Sequence, residues 1–198
     1  MIGRLPGTLS VGGTEYEIRT DYRNVLDVFS LFNDPELTKE EKWICAVYML
    51  FKIFQKIDDV IEAIEEGFNI SDAAAEIIWF INGGKEVKKE ENEKHLYSWE
   101  MDEQMIFSSV NKVANKEIRE EEYMHWWTFL GYFNEIEEGT FSFIVGIREK
   151  INNGKKLERH EREFYQKNRE LVDIKRQKSK EELEQEEEYN EFLKEYLG

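Results

Sequence analysis

The chain has 198 residues and a formal net charge of −16, with 43 acidic side chains against 27 basic ones. That charge excludes nucleic-acid phosphate and an anionic membrane surface as partners for the whole chain. Its 13 Phe, 9 Tyr and 5 Trp exclude global disorder, and the length suits one domain or two small ones with a real core.

Cys45 is the single cysteine, so no intramolecular disulfide forms and a reducing compartment is expected. Residues 1–6 lack the apolar core of a signal peptide, and no run reaches the length of a membrane-spanning helix. In chain order, residues 1–20 read as a β-hairpin. Residues 8–11 and 15–19 alternate, and Gly12-Gly13 supplies the positive φ of a tight turn. Leu9 and Val11 share one face; Tyr16 and Ile18 share a face of the second strand. A lone hairpin is marginal in water, so it docks on helices or offers an edge to a partner.

Residues 21–33 form an amphipathic helix capped by Asp21. A second helix spans about 38–55, where Thr38 and Glu41 have capping-box spacing. Cys45 lies among its apolar residues as an inert core group. Two further helices follow, 58–66 ended by Gly67 and 73–82 started by Ser71 and ended by Gly83-Gly84. Mixed charge at 85–96 predicts an exposed connection.

A helix is predicted over 101–115. The densest packing of large side chains comes next, in Met124-His125-Trp126-Trp127-Thr128-Phe129. At helical spacing Tyr123, Trp126, Trp127, Leu130 and Phe133 form one broad stripe, which predicts a central helix ending at Gly139. Its aromatics are either core, or one Trp meets a partner. Phe141 to Ile151 reads as a short helix, 157–178 as a longer one with a thin apolar stripe, and 181–196 as an acidic helical tail.

These patterns predict a mainly α fold, a multi-helix globular bundle with a small N-terminal hairpin. The expected organisation is 1–84, hairpin plus helices; 85–96, charged linker or loop; 97–178, helical core with the Trp-Trp helix; 179–198, acidic tail. One compact domain overall is the alternative.

Chemical motifs are scarce. Glu122 and His125 have Glu-x-x-His spacing, which would put two ligands on one helix face, but a di-iron bundle needs a second such pair and none exists. His160-Glu161 is no zincin signature, because Phe164 stands where the second His belongs. There is no phosphate-binding loop and no Gly-x-Ser-x-Gly. No catalytic, cofactor or metal residues are therefore assigned, and no enzyme is expected.

One group of residues carries a resemblance. Trp99-x-x-Asp102, Ile106-Phe107, Met124-His125-Trp126-Trp127-x-Phe129, Ile147-Arg148-x-Lys150 and the charged helix from Leu157 resemble a family of tailed-phage and prophage proteins of Gram-positive bacteria. That family is named after gene product fifteen of a Listeria phage. Arg4-Leu5-Pro6 and Tyr16-Glu17-Ile18 resemble its start, while residues 115–118 depart from its pattern.

The resemblance implies a tail-morphogenesis protein of the host cytoplasm. It implies a non-enzymatic tail assembly chaperone that coats the tape measure protein and contacts the major tail protein or further copies of itself. Neither nucleic acid nor membrane is an expected partner. Trp99, Asp102, His125, Trp126, Trp127, Phe129 and Arg148 are the motif residues. Arg148 or neighbouring charges are expected to tie the core helix to its neighbours. Tyr16, Phe192, Leu193 and Tyr196 are the candidate partner-binding residues. The alternative is an acidic inhibitor that mimics DNA and occupies a host DNA-binding protein.

Overall fold

The computed structural model describes residues 2–86 and 96–174. Most of the charged stretch 85–96, and the acidic tail 179–198 with Phe192, Leu193 and Tyr196, lie outside the described residues. The fold is mainly α with a small N-terminal hairpin, as the periodicities predict. Strands β1 (Thr8–Val11) and β2 (Thr14–Glu17) pair antiparallel, with Leu9 opposite Tyr16 and Val11 opposite Thr14. Gly12 and Gly13 have φ of 58° and 83°. Positive φ at both central residues is what a two-residue type I′ turn requires.

Nine α-helices follow among the described residues. They are α1 (Tyr22–Asn33), α2 (Lys39–Leu50), α3 (Ile57–Glu65), α4 (Ile70–Ile81), α5 (Glu103–Ala114), α6 (Trp126–Asn134), α7 (Thr140–Asn152), α8 (Arg159–Lys167) and α9 (Arg169–Val172). A 3₁₀ turn, Ile118–Glu120, precedes α6. The helices start where side chains can take orphan backbone donors. Asp21 Oδ1 accepts from Arg23 N at 3.0 Å. Thr38 and Glu41 form the reciprocal capping box, with Glu41 N donating to Thr38 Oγ1 at 3.3 Å and Thr38 N donating to Glu41 Oε2 at 2.8 Å.

Several boundaries differ from the sequence expectation, each for a local reason. Helix α2 stops at Leu50, not near residue 55, because Phe51 turns extended and bridges to Ile18, and Lys52 N donates to Glu17 O. Helix α4 begins one turn early, since Asn69 rather than Ser71 caps it: Asn69 Oδ1 accepts from Ser71 N and Asp72 N at 3.0 and 3.1 Å. Helix α6 ends at Asn134, and Gly139 stands at the start of α7 instead of stopping α6. The helix expected over 157–178 is broken at Asn168, with φ −131° and ψ 37°, whose side-chain amide donates to Phe164 O at 2.9 Å. Asn111 makes the unpredicted 3₁₀ turn possible by accepting from Ile118 N and donating to Glu117 Oε2.

The described chain divides into two compact units, residues 6–19 and 24–78 in one, and 2–5, 20–23 and 79–174 in the other. In the first, Leu9, Val11, Ile18, Val47, Leu50 and Phe51 are buried. The rings of Phe51, Phe54 and Phe68 meet edge-on or tilted, with centroids 5.6 to 6.4 Å apart. Arg19 gathers the end of α2, donating to the carbonyls of Tyr48, Met49 and Phe51 at 3.1, 3.2 and 2.9 Å. A cation there satisfies acceptors with no helical partner and offsets the negative end of the helix dipole. In the second unit Tyr22, Phe80, Ile106, Trp126, Phe129, Ile144 and Ile147 are buried.

Candidate functional site

Five of the seven motif residues meet inside the second unit through α6. His125 is the N-cap of that helix, and its Nδ1 accepts from Trp127 N at 3.0 Å. Trp126 N donates to Thr20 O at 2.7 Å. The Trp126 ring stacks on Phe129 at 5.5 Å, and Phe129 stacks in turn on Tyr22 at 4.8 Å with the planes 6° apart. Trp99 closes the cluster, 6.1 Å from both Trp126 and Phe129 and 4.9 Å from Phe133. Burial raises the pKa of the Tyr22 hydroxyl, against the opposing pull of Arg23.

Both indoles keep a polar partner. Trp126 Nε1 donates to Ile81 O and Trp127 Nε1 to Phe80 O, each at 2.8 Å. These are carbonyls of the last turn of α4, which have no helical donor. The chain leaves that helix through Gly83 and Gly84, with φ of 66° and 80°. A Cβ on Gly84 would lie 2.8 Å from Trp127 Cη2, so glycine admits the indole. Trp126 is buried and Trp127 half-buried. Tyr123 leaves the expected stripe: it precedes α6, is 57% exposed, and shares a 2.7 Å hydrogen bond with Thr20 Oγ1.

The remaining motif pair is a buried ion bridge. Arg148 on α7 and Asp102 at the start of α5 are 4% and 1% exposed. Arg148 Nη1 donates to Asp102 Oδ2 at 2.5 Å and Nη2 to Asp102 Oδ1 at 2.9 Å. The other guanidinium protons reach Leu96 O at 3.1 Å, Leu171 O at 2.9 Å and Val172 O at 2.7 Å. All five donors of the planar fork are used. Asp102 Oδ2 also accepts from Ser98 N at 3.0 Å. The pair thus ties α5, α7, α9 and the segment at Leu96 within one unit.

Lys150, two residues on, performs a similar task for α8. Its Nζ donates to Glu161 Oε1 at 2.5 Å, while Glu161 Oε2 accepts from Glu158 N at 2.8 Å. The Lys150 hydrogen bond holds the Glu161 carboxyl below its ordinary range, and Glu161 in turn raises Lys150.

The other candidates are placed as follows. Tyr16 is half-buried, with its ring edge-on to Phe51 at 5.9 Å and to Phe68 at 5.6 Å. Burial and Glu41 raise the pKa of the Cys45 thiol, which disfavours the nucleophilic thiolate. Glu122 and His125 do not share a helix face, because α6 starts only at Trp126 and His125 Nδ1 is spent on its cap. Among the described residues no group of three or more His, Cys, Asp or Glu could hold a metal, and no buried side-chain nitrogen or oxygen lacks a partner. No described helix is long and apolar enough to cross a membrane. An open groove of about 700 Å³ lies between α5 and the turn from α6 to α7, lined by Met105, Ser109, Val113, Ile136 and Phe141.

The buried polar residues His125, Asp102, Arg148 and Glu161 thus all hold helix ends or neighbouring segments in place. The family model of the bacteriophage Gp15 protein matches residues 1–174, so the chain belongs to that family of phage proteins. Membership points to a structural or morphogenetic role in the phage. No curated protein and no solved structure gives a match.

Proposed function

We propose that this protein is a non-enzymatic tail assembly chaperone that acts in the host cytoplasm and keeps the tape measure protein soluble until tail-tube subunits replace it. The observation that carries this is membership of the phage family over residues 1–174. The chemistry agrees. A holder of a long apolar-striped helix needs high net charge, apolar contact surface and no reactive centre. The chain has a net charge of −16, and isoleucines at 53, 57 and 61 are 61%, 42% and 42% exposed. Phe192, Leu193 and Tyr196 of the acidic tail are the second proposed contact region.

The test is co-expression with the tape measure protein of the same phage, followed by pull-down and size-exclusion chromatography with light scattering. A soluble complex, from a tape measure that is insoluble alone, supports the proposal and gives its stoichiometry. A tape measure equally insoluble with and without this protein overturns it.

A further inference from the structure

We infer that one face of α3 is a docking surface for a basic amphipathic helix. Ile57 and Ile61 stand one helical turn apart and are each 42% exposed, and Ile53, in the turn leading into α3, is 61% exposed. Val60 takes the buried position of the same helix. At 100° per residue, Ile57 and Ile61 fall between that buried line and the line of Asp58, Glu62 and Glu65, all exposed. The result is an apolar strip bordered along its length by a carboxylate strip.

The occupant follows from charge. Helix α3 has no basic residue in its last turn, and Glu65 and Glu66 crowd the end where the helix dipole is already negative. That placement is unfavourable for an isolated helix, and it becomes favourable when an external cation sits there. The two lysines nearby, Lys52 and Lys56, lie at the opposite end: Lys52 pairs with Glu17 at 3.2 Å, and Lys56 lies 3.7 Å from Asp59 and 3.9 Å from Asp58. The C-terminal half of the strip is therefore uniformly acidic. A complementary helix carries apolar residues at i, i+3, i+4 and i+7 and Lys or Arg on the flank that meets Glu62, Glu65 and Glu66. An anionic lipid surface fits poorly, because the same carboxylates repel it.

The inference names a chemistry rather than a protein, so it is tested apart from the tape measure. The probe is a synthetic Leu/Lys amphipathic helical peptide, fluorescein-labelled, titrated with the full-length protein by anisotropy. Controls are the same peptide with Glu for Lys, and a scramble that destroys the apolar face. The expected result is binding of the Lys peptide alone. It should be weakened about tenfold or more by I57S/I61S, and made less salt-sensitive by E62Q/E65Q/E66Q. All five positions are solvent-facing or at a helix end, and circular dichroism is used to check that both variants remain folded. Equal affinity of the wild-type protein and both variants places the peptide elsewhere and overturns the proposal. So does equal binding of the Glu peptide, or none of either. A dimer by light scattering that I57S/I61S dissociates assigns the face to a second copy instead and also overturns it. Failure of the wild-type protein to bind the Lys peptide, with the tape-measure complex intact, would remove this surface and leave the proposed function standing.

Discussion

Arg148 shows how one side chain can set the arrangement of several helices. Its guanidinium is buried, and each of its five donors has an acceptor 2.5 to 3.1 Å away. Removing one partner from such a pair leaves an uncompensated buried charge, which costs about 3–5 kcal/mol. Arg148→Met, which strands Asp102 and three carbonyls, should lower the unfolding free energy extracted from urea titration by that order. Arg148→Lys should recover little, since an ammonium with three donors cannot span a planar fork's acceptors. Native-like stability in Arg148→Lys would show that charge alone suffices. Glu117 gives a pH-dependent counterpart. Hydrogen bonds from the Arg119 side chain, then its backbone N–H, with Asn111 adding to them, hold its carboxyl down to about 2. The unfolded chain therefore takes up this proton at a higher pH than the folded one. The stabilisation is complete above the ordinary glutamate range and is lost as the pH falls toward about 2. Urea midpoints measured across that window should fall less steeply in Glu117→Gln than in the parent; identical slopes would remove Glu117 from the acid response.

At the scale of elements, the turn after α4 and the Trp pair form one device. The indoles of Trp126 and Trp127 close the last carbonyls of α4, and Gly84 leaves room for Trp127. Gly84→Ala combines a left-handed backbone, worth about 1–2 kcal/mol, with a methyl 2.8 Å from Trp127 Cη2. Gly67→Ala carries a positive φ of 103° but meets nothing within 4 Å. The first variant should therefore melt lower than the second and alter the near-ultraviolet Trp signal, whereas equal melting points would mean that Trp127 moves aside freely. Much of this scale was legible in the residues. The hairpin followed from alternation around Gly12-Gly13, and the start of α2 from Thr38 and Glu41. Ends were harder to read, because tertiary partners decide them. Phe51 leaves α2 to bridge Ile18, and Asn168 breaks a charge-rich periodic stretch with its own side chain. The convergence of Asp102 and Arg148 across 46 positions had only an indirect signal, an arginine set beside Ile144, Ile147 and Ile151 on an otherwise apolar line. Arg19, which closes α2, stood at the end of an alternating strand, and nothing there pointed to that task.

For the whole molecule, the decisive question is where the folded body ends. Arg148 takes Leu171 O and Val172 O as acceptors, and Val172 is buried with Ile144 and Ile147. The family match stops at residue 174. The fold should therefore tolerate removal of everything beyond 179 but not a cut before 171. Deleting residues 180–198 should leave the melting temperature nearly unchanged and abolish co-purification of the tape measure protein. Deleting 169–198 takes two acceptors from a buried guanidinium, each loss costing about 1–3 kcal/mol, along with the packing of Val172. It should unfold cooperatively at a clearly lower temperature. Calorimetry and pull-down on the two truncations separate the roles. An unfolded 1–179 protein would make the tail part of the fold, and a folded 1–179 protein that still captures the tape measure would transfer recognition to the helical body.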